Sequence, residues 1–168
     1  MRKLLVIIDK TSKYAGALSA VLCFTLVLVV VYDVVMRYVF DAPTMWAFET
    51  AYMIGGTIYV LGFAYTHYLK AHVRVDVFYA RLSPRSRALV DVAGGLFLFF
   101  PLLLVFMIAS FSFMWRAWSI KEVSIVTNWY APIAPFRTVV VIGFCLFALQ
   151  GLAQLVRDIC MLIRNKPL

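Results

Sequence analysis

The chain has 168 residues, 64% apolar and 14% charged, whereas a soluble domain carries about 45–50% apolar and about 25% charged residues. The formal net charge of +8 comes from 16 Lys and Arg against 8 Asp and Glu. Because the cations flank apolar runs in separate segments, they read as a topology signal and exclude a nucleic-acid-binding surface.

In chain order, Arg2, Lys3, Lys10 and Lys13 precede a first apolar stretch over residues 14–36. A bilayer crossing takes roughly 20 helical residues. This stretch exceeds the apolar core of a signal peptide, and Val34-Val35-Met36-Arg37 offers no small-residue cleavage site, so it is predicted to be a span. Asp33 and Arg37 stand four residues apart near its end, a spacing that suits an ion pair. Asp41-Ala42-Pro43 marks a turn. A second span is predicted over 47–67; Glu49 near its start meets the positive end of the helix dipole and suits a cap or a polar contact to a partner helix. Ala51, Gly55 and Gly62 share one face of it, the pattern that lets helices approach closely in lipid, within the bundle or against another protein.

The segment 70–83 is the least ordinary connection. His72-Val73-Arg74-Val75-Asp76-Val77 alternates like a strand, while Val75, Phe78, Tyr79 and Leu82 fall at helical spacing. A lone strand would leave its edges unpaired. The segment is therefore predicted to be a short amphipathic helix in the membrane interface, its arginines toward headgroups. Ser83-Pro84 reads as an N-cap followed by proline at the first helical position. The third span, 88–115, is then the upper part of a longer helix, tilted and kinked at Pro101. Pro132 and Pro135 punctuate the approach to a fourth span over 136–160, whose last turn holds Arg157 and Asp158.

Twelve of the 16 Lys and Arg lie before the first span, between the second and third, or at the C-terminal end, leaving Arg37, Arg116, Lys121 and Arg137 on the other side. Both termini and the middle connection are therefore expected to be cytoplasmic. Trp46, Trp115, Trp118 and Trp129 then all sit at the outer interface, where amphipathic rings are at home. The expected fold is an all-α integral membrane protein with four transmembrane helices, N-in and C-in, forming a single membrane domain over 1–168.

Intramembrane ionisable groups are the default functional pointers, and none of the eight acids falls at mid-span. That placement argues against a proton-coupled pump working through this chain alone. His67 and His72 raise a haem-binding anchor of a redox complex as one alternative, although their spacing across Lys70 suits opposed axial ligands poorly. A homodimeric small exporter is another. Cys23, Cys145 and Cys160 lie apart with no metal or disulfide spacing and read as small apolar residues. No phosphate loop, catalytic triad or HExxH is present, so no enzyme activity is expected.

Arg37-Tyr38-Val39-Phe40-Asp41-Ala42-Pro43, followed by Trp46 and Glu49, resembles the small membrane subunit, DctQ type, of tripartite ATP-independent periplasmic (TRAP) transporters. Further along, His72-Val73-Arg74-Val75-Asp76, Glu122-Val123-Ser124 and Gly143 to Gln150-Gly151 are similar to later elements of that family. One departure is Pro132-Ile133-Ala134-Pro135, where the family has a tryptophan among the prolines; here Trp129 stands slightly earlier. The resemblance implies a subunit with no catalytic site and no cofactor of its own. Its partners would be a large multispan membrane subunit, which carries the substrate and Na+ sites and moves as an elevator, and a periplasmic substrate-binding protein. The small subunit would brace the static scaffold and help dock the binding protein during organic-acid uptake. Arg37, Tyr38, Trp46, Glu49, Gly55, Gly62, His72, Asp76 and Glu122 are the residues expected at those interfaces, with membrane lipids around the remainder.

Overall fold

A computed structural model describes residues 2–69 and 83–164, and these are almost wholly helical. The helices are α1 (Arg2–Tyr38), α2 (Met45–Tyr68), α3 (Pro84–Gly94), α4 (Phe100–Ser119) and α5 (Ala134–Arg164), with a π-helical turn, Gly95–Phe99, joining α3 to α4. The predicted interfacial helix at 70–83 falls almost entirely outside the described residues.

Three helical stretches are long and apolar enough to cross a membrane: Lys3–Tyr38, Leu89–Ser119 and Ala134–Ile163. The helix α2 is not among them. It has the length, 24 residues, but Glu49, Thr57, Thr66, His67 and four tyrosines dilute its apolar character. The first helix starts well before the predicted span. At 37 residues it is about 55 Å long at 1.5 Å per residue, more than the roughly 30 Å hydrocarbon core. Its first turns therefore extend beyond any bilayer that the valine-rich part crosses.

Ser83 caps α3 as expected: it is extended (φ −62°, ψ 156°), and its hydroxyl accepts the Ser86 N–H at 3.2 Å, with Pro84 next in the first turn. The irregularity expected at Pro101 takes another form. Proline has no N–H for the carbonyl four residues back, and its ring crowds that carbonyl. The chain answers with the π turn immediately before it, in which the Phe100 N–H reaches back five residues to the Gly95 carbonyl. At the end of α4, Lys121 adopts φ 48° and the Glu122 N–H bonds the Ala117 carbonyl at 3.0 Å, closing the helix in a Schellman arrangement.

The helix α5 is the hub. It packs against α2, α3, α4 and, more lightly, α1, while α1 rests chiefly on α2. The seam is rich in small residues: Ala15, Ala47, Ala64, Ala117 and Ala153 are buried along with Val60, Leu61 and Leu103, whereas Phe24, Val27, Leu98, Leu104 and Phe111 point outward. Such a core is the arrangement expected when helices meet in lipid, where close backbone approach and dispersion replace hydrophobic collapse. Gly143 shows how close the approach is. A Cβ there would stand 2.3 Å from Val60 Cγ1 and 3.1 Å from its backbone carbonyl carbon, whereas a Cβ at Gly55 or Gly62 would meet nothing within 4 Å. The contact expected of Gly55 and Gly62 is therefore not made inside the bundle.

Gly143→Ala is expected to lower the unfolding free energy by about 1–3 kcal/mol through overpacking. Gly55→Ala should be neutral or stabilising by about 0.5–1 kcal/mol through helix propensity. Thermal unfolding of the purified chain in mild detergent checks both.

Candidate partner interface

Charged groups that make ion pairs collect at the two ends of the bundle. At the tryptophan-bearing end, Asp33 joins the close of α1 to the start of α2. One oxygen accepts from Arg37 Nη2 at 2.8 Å, and the other accepts from the Thr44 hydroxyl and from the Thr44 N–H at 3.3 Å. The expected ion pair is present, and the carboxylate also holds the residue that precedes α2. Beside it the rings of Tyr32 and Trp46 meet at 5.7 Å. Tyr38 is the open member of the group, 80% exposed.

The connection from α4 to α5 folds into a closed loop over the same end. The Ser124 N–H bonds the Ala131 carbonyl at 2.8 Å and the Ile133 N–H bonds the Glu122 carbonyl at 3.1 Å, forming a single antiparallel bridge. Two carboxylates pin this loop. Glu122 receives both terminal nitrogens of Arg137, at 2.7 and 2.8 Å, in a bidentate pair. The same guanidinium donates to the Phe113 carbonyl at 2.9 Å and lies over the Phe113 ring. Glu49, only 2% exposed, accepts the Thr127 N–H at 2.9 Å and the Thr127 hydroxyl at 2.6 Å. Trp118 donates to the Thr138 hydroxyl at 2.9 Å, tying α4 to α5 just below. The loop tip stays open, with Ile125 88% exposed and Val126, Trp129 and Tyr130 also outward.

The opposite end holds a second polar cluster. Asp9 accepts from Arg157 Nη2 at 2.6 Å and from Gln150 Nε2 at 3.1 Å, and the Ser12 hydroxyl donates to Gln150 Oε1 at 2.8 Å. Gln150 and Ser12 are buried. This cluster clamps the early turns of α1 onto α5. Nearby, the His67 ring stacks on Phe99 at 5.2 Å and meets the edge of Phe147 at 5.5 Å. The π turn puts Phe99 against Gly151, where a Cβ would lie 2.4 Å from the ring. His67 thus belongs to an aromatic packing cluster.

Of the residues expected at partner interfaces, the structure gathers Arg37, Trp46, Glu49 and Glu122 at one end, with Tyr38 open beside them. Gly55 and Gly62 lie further along α2 on an unfilled face. His72 and Asp76 lie outside the described residues. Thr127 and Arg137, which hold the loop, and Asp9, Ser12, Gln150 and Arg157, which hold the far end, were not among the expected residues. A signal for the last group exists in Gln150, Gln154 and Arg157, which recur at helical spacing on an otherwise apolar α5.

Arg137→Ala should free the Phe113 carbonyl and leave Glu122 partly buried without its cation, at a cost of about 1–3 kcal/mol. Faster amide hydrogen exchange across residues 120–133, with exchange in α1 unchanged, is the expected readout.

Comparison with curated proteins returned no match. The profile of the family described as "Tripartite ATP-independent periplasmic transporters, DctQ component" matches residues 26–161. The matched stretch begins inside α1 and ends near the close of α5, so it takes in the whole tryptophan-bearing end as well as α2 to α4. A match over most of the chain settles the family: this protein belongs to the DctQ family, the small permease subunits of TRAP transporters.

Proposed function

We propose that the chain is the static small subunit of a sodium-coupled, binding-protein-dependent uptake system for organic acids in the bacterial inner membrane. Family membership over residues 26–161 carries this reading. Here α2 serves as a fourth crossing beside α1 and α5, on which it packs, and both termini face the cytoplasm in accord with the positive residues. The chain braces the fixed part of a large membrane subunit, which holds the substrate and Na+. The open loop tip around Ile125–Tyr130, together with Tyr38 and Phe40, offers an apolar surface to a periplasmic binding protein.

The charge distribution supports a brace in preference to a carrier. Asp33 and Glu49 lie near the ends of their helices, Glu122 lies in the outer connection, and Asp9 and Asp158 lie at the far end. A route for solute or ions through this bundle would need polar groups between those ends. The residues buried in the middle, Ala64, Val60, Leu61, Leu103 and Ser19 among them, carry no charge.

Proteoliposomes supply the test, with the native binding protein outside and a sodium gradient across the membrane. Vesicles holding only this chain should accumulate none of a panel of radiolabelled carboxylic acids, and those holding both membrane subunits should accumulate one. Accumulation by this chain alone, or full uptake by the large subunit without it, would contradict the proposal.

A further inference from the structure

The two oxygens of Glu49 are held unequally. Oε1 takes both bonds from Thr127. The Ser124 hydroxyl and the Ala131 N–H also approach the carboxylate, yet Oε2 is buried with no hydrogen bond among the described residues. No Lys, Arg or His pairs with Glu49 among the described residues, whereas Asp33, Glu122 and Asp9 each have an arginine. A carboxylate removed from water with half its acceptor capacity unused is costly unless a cation or donor completes it.

Glu49 forms part of the wall of a groove of about 430 Å3 between α2, α5 and the loop, whose other walls include Phe48, Tyr52, Ser124 and Phe136. Arg137 also borders it, but both of its terminal nitrogens are engaged by Glu122 and the Phe113 carbonyl. The wall of the groove therefore holds a buried carboxylate with no cation beside aromatic rings, and Tyr52 and Phe136 approach each other at 5.7 Å. This chemistry suits a cationic side chain, whose charge meets the carboxylate while its stem and head lie against ring faces.

The groove shares Phe48 and Tyr52 with the unfilled face of α2. Phe48, Tyr52, Gly55, Tyr59 and Gly62 follow one another along that helix at i, i+4, i+7, i+11 and i+14, and a Cβ at either glycine would meet nothing within 4 Å. Tyr59, 72% exposed, has no hydrogen bond to a described residue. A helix lying along this face in the membrane would contact the open glycines and bring its outer end to Glu49.

We propose that Glu49 receives a lysine or arginine side chain of the large membrane subunit, carried by a helix that packs along the Gly55–Gly62 face of α2. This inference rests on the assembly put forward above. The test is recovery of the large subunit with the affinity-tagged small subunit after co-expression and mild detergent extraction, alongside thermal unfolding of the small subunit alone. Glu49→Gln retains an oxygen for Thr127 but removes the charge. It should leave the melting temperature unchanged and cut recovery of the large subunit at least about tenfold. Thr127→Val keeps the charge but loses one bond of the loop pin, and it should recover close to the wild-type amount.

Equal recovery with wild type and Glu49→Gln would overturn the inference and leave the assembly standing. A loss with Thr127→Val as large as with Glu49→Gln would assign the effect to the loop and overturn it. Early melting of the Glu49→Gln chain would show that the carboxylate serves its own fold, again overturning it. No recovery with the wild-type chain would remove both the inference and the assembly beneath it.

Discussion

Inside a bilayer no water is available to complete an unpaired polar group, so a small helical bundle must keep its polar contacts at its ends and join its middle by close packing. The arrangement here follows that constraint. Asp33, Glu49 and Glu122 fasten one end, and Asp9 with Gln150 and Arg157 fastens the other. Between them the helices meet through alanine and glycine, with Val60 filling the space at Gly143 and Phe136 the space at Gly56. Each end cluster joins elements distant in sequence: Glu49 reaches 78 residues to Thr127, and Asp9 reaches 148 to Arg157. These long links fix how α1 and the α4–α5 loop sit on the α2–α5 pair.

What could be read in the sequence depended on the range of each interaction. Local contacts were legible: Asp33 and Arg37 share a helix face, and Ser83-Pro84 announces a helix start, and both are found as expected. Helix existence was legible from apolar runs, but the limits of α1 were not. Its first thirteen residues carry four cations and look like a flank until Asp9 and Ser12 find their partners on α5. Proline within α4 foretold an irregularity there, but not its form as a π turn, which sets Phe99 against the distant Gly151. Glu49 could be recognised as a polar contact in waiting. Its partner could not, because nothing local distinguishes Thr127 from other loop threonines.

The DctQ family membership and the fold bear on the same question from different sides. Membership gives the chain its place beside a large membrane subunit and a binding protein. The fold leaves two surfaces open: one face of α2 runs along the bundle, and the apolar loop tip stands at its end. The clusters that pin the loop and α1 are those expected of a body that keeps its shape while a neighbour moves. The proposed brace thus follows from where the polar contacts lie as much as from the family.

Rigidity through the transport cycle is what separates a brace from a moving part. Spin labels on Cys23 in α1 and Cys145 in α5, with Cys160 replaced by alanine, report the spacing of those helices inside the assembled transporter. A static subunit gives one distance distribution, unchanged when sodium, solute and binding protein are added. A shift approaching one helical turn, about 5 Å, would show that the bundle itself moves and would contradict its role as the fixed support.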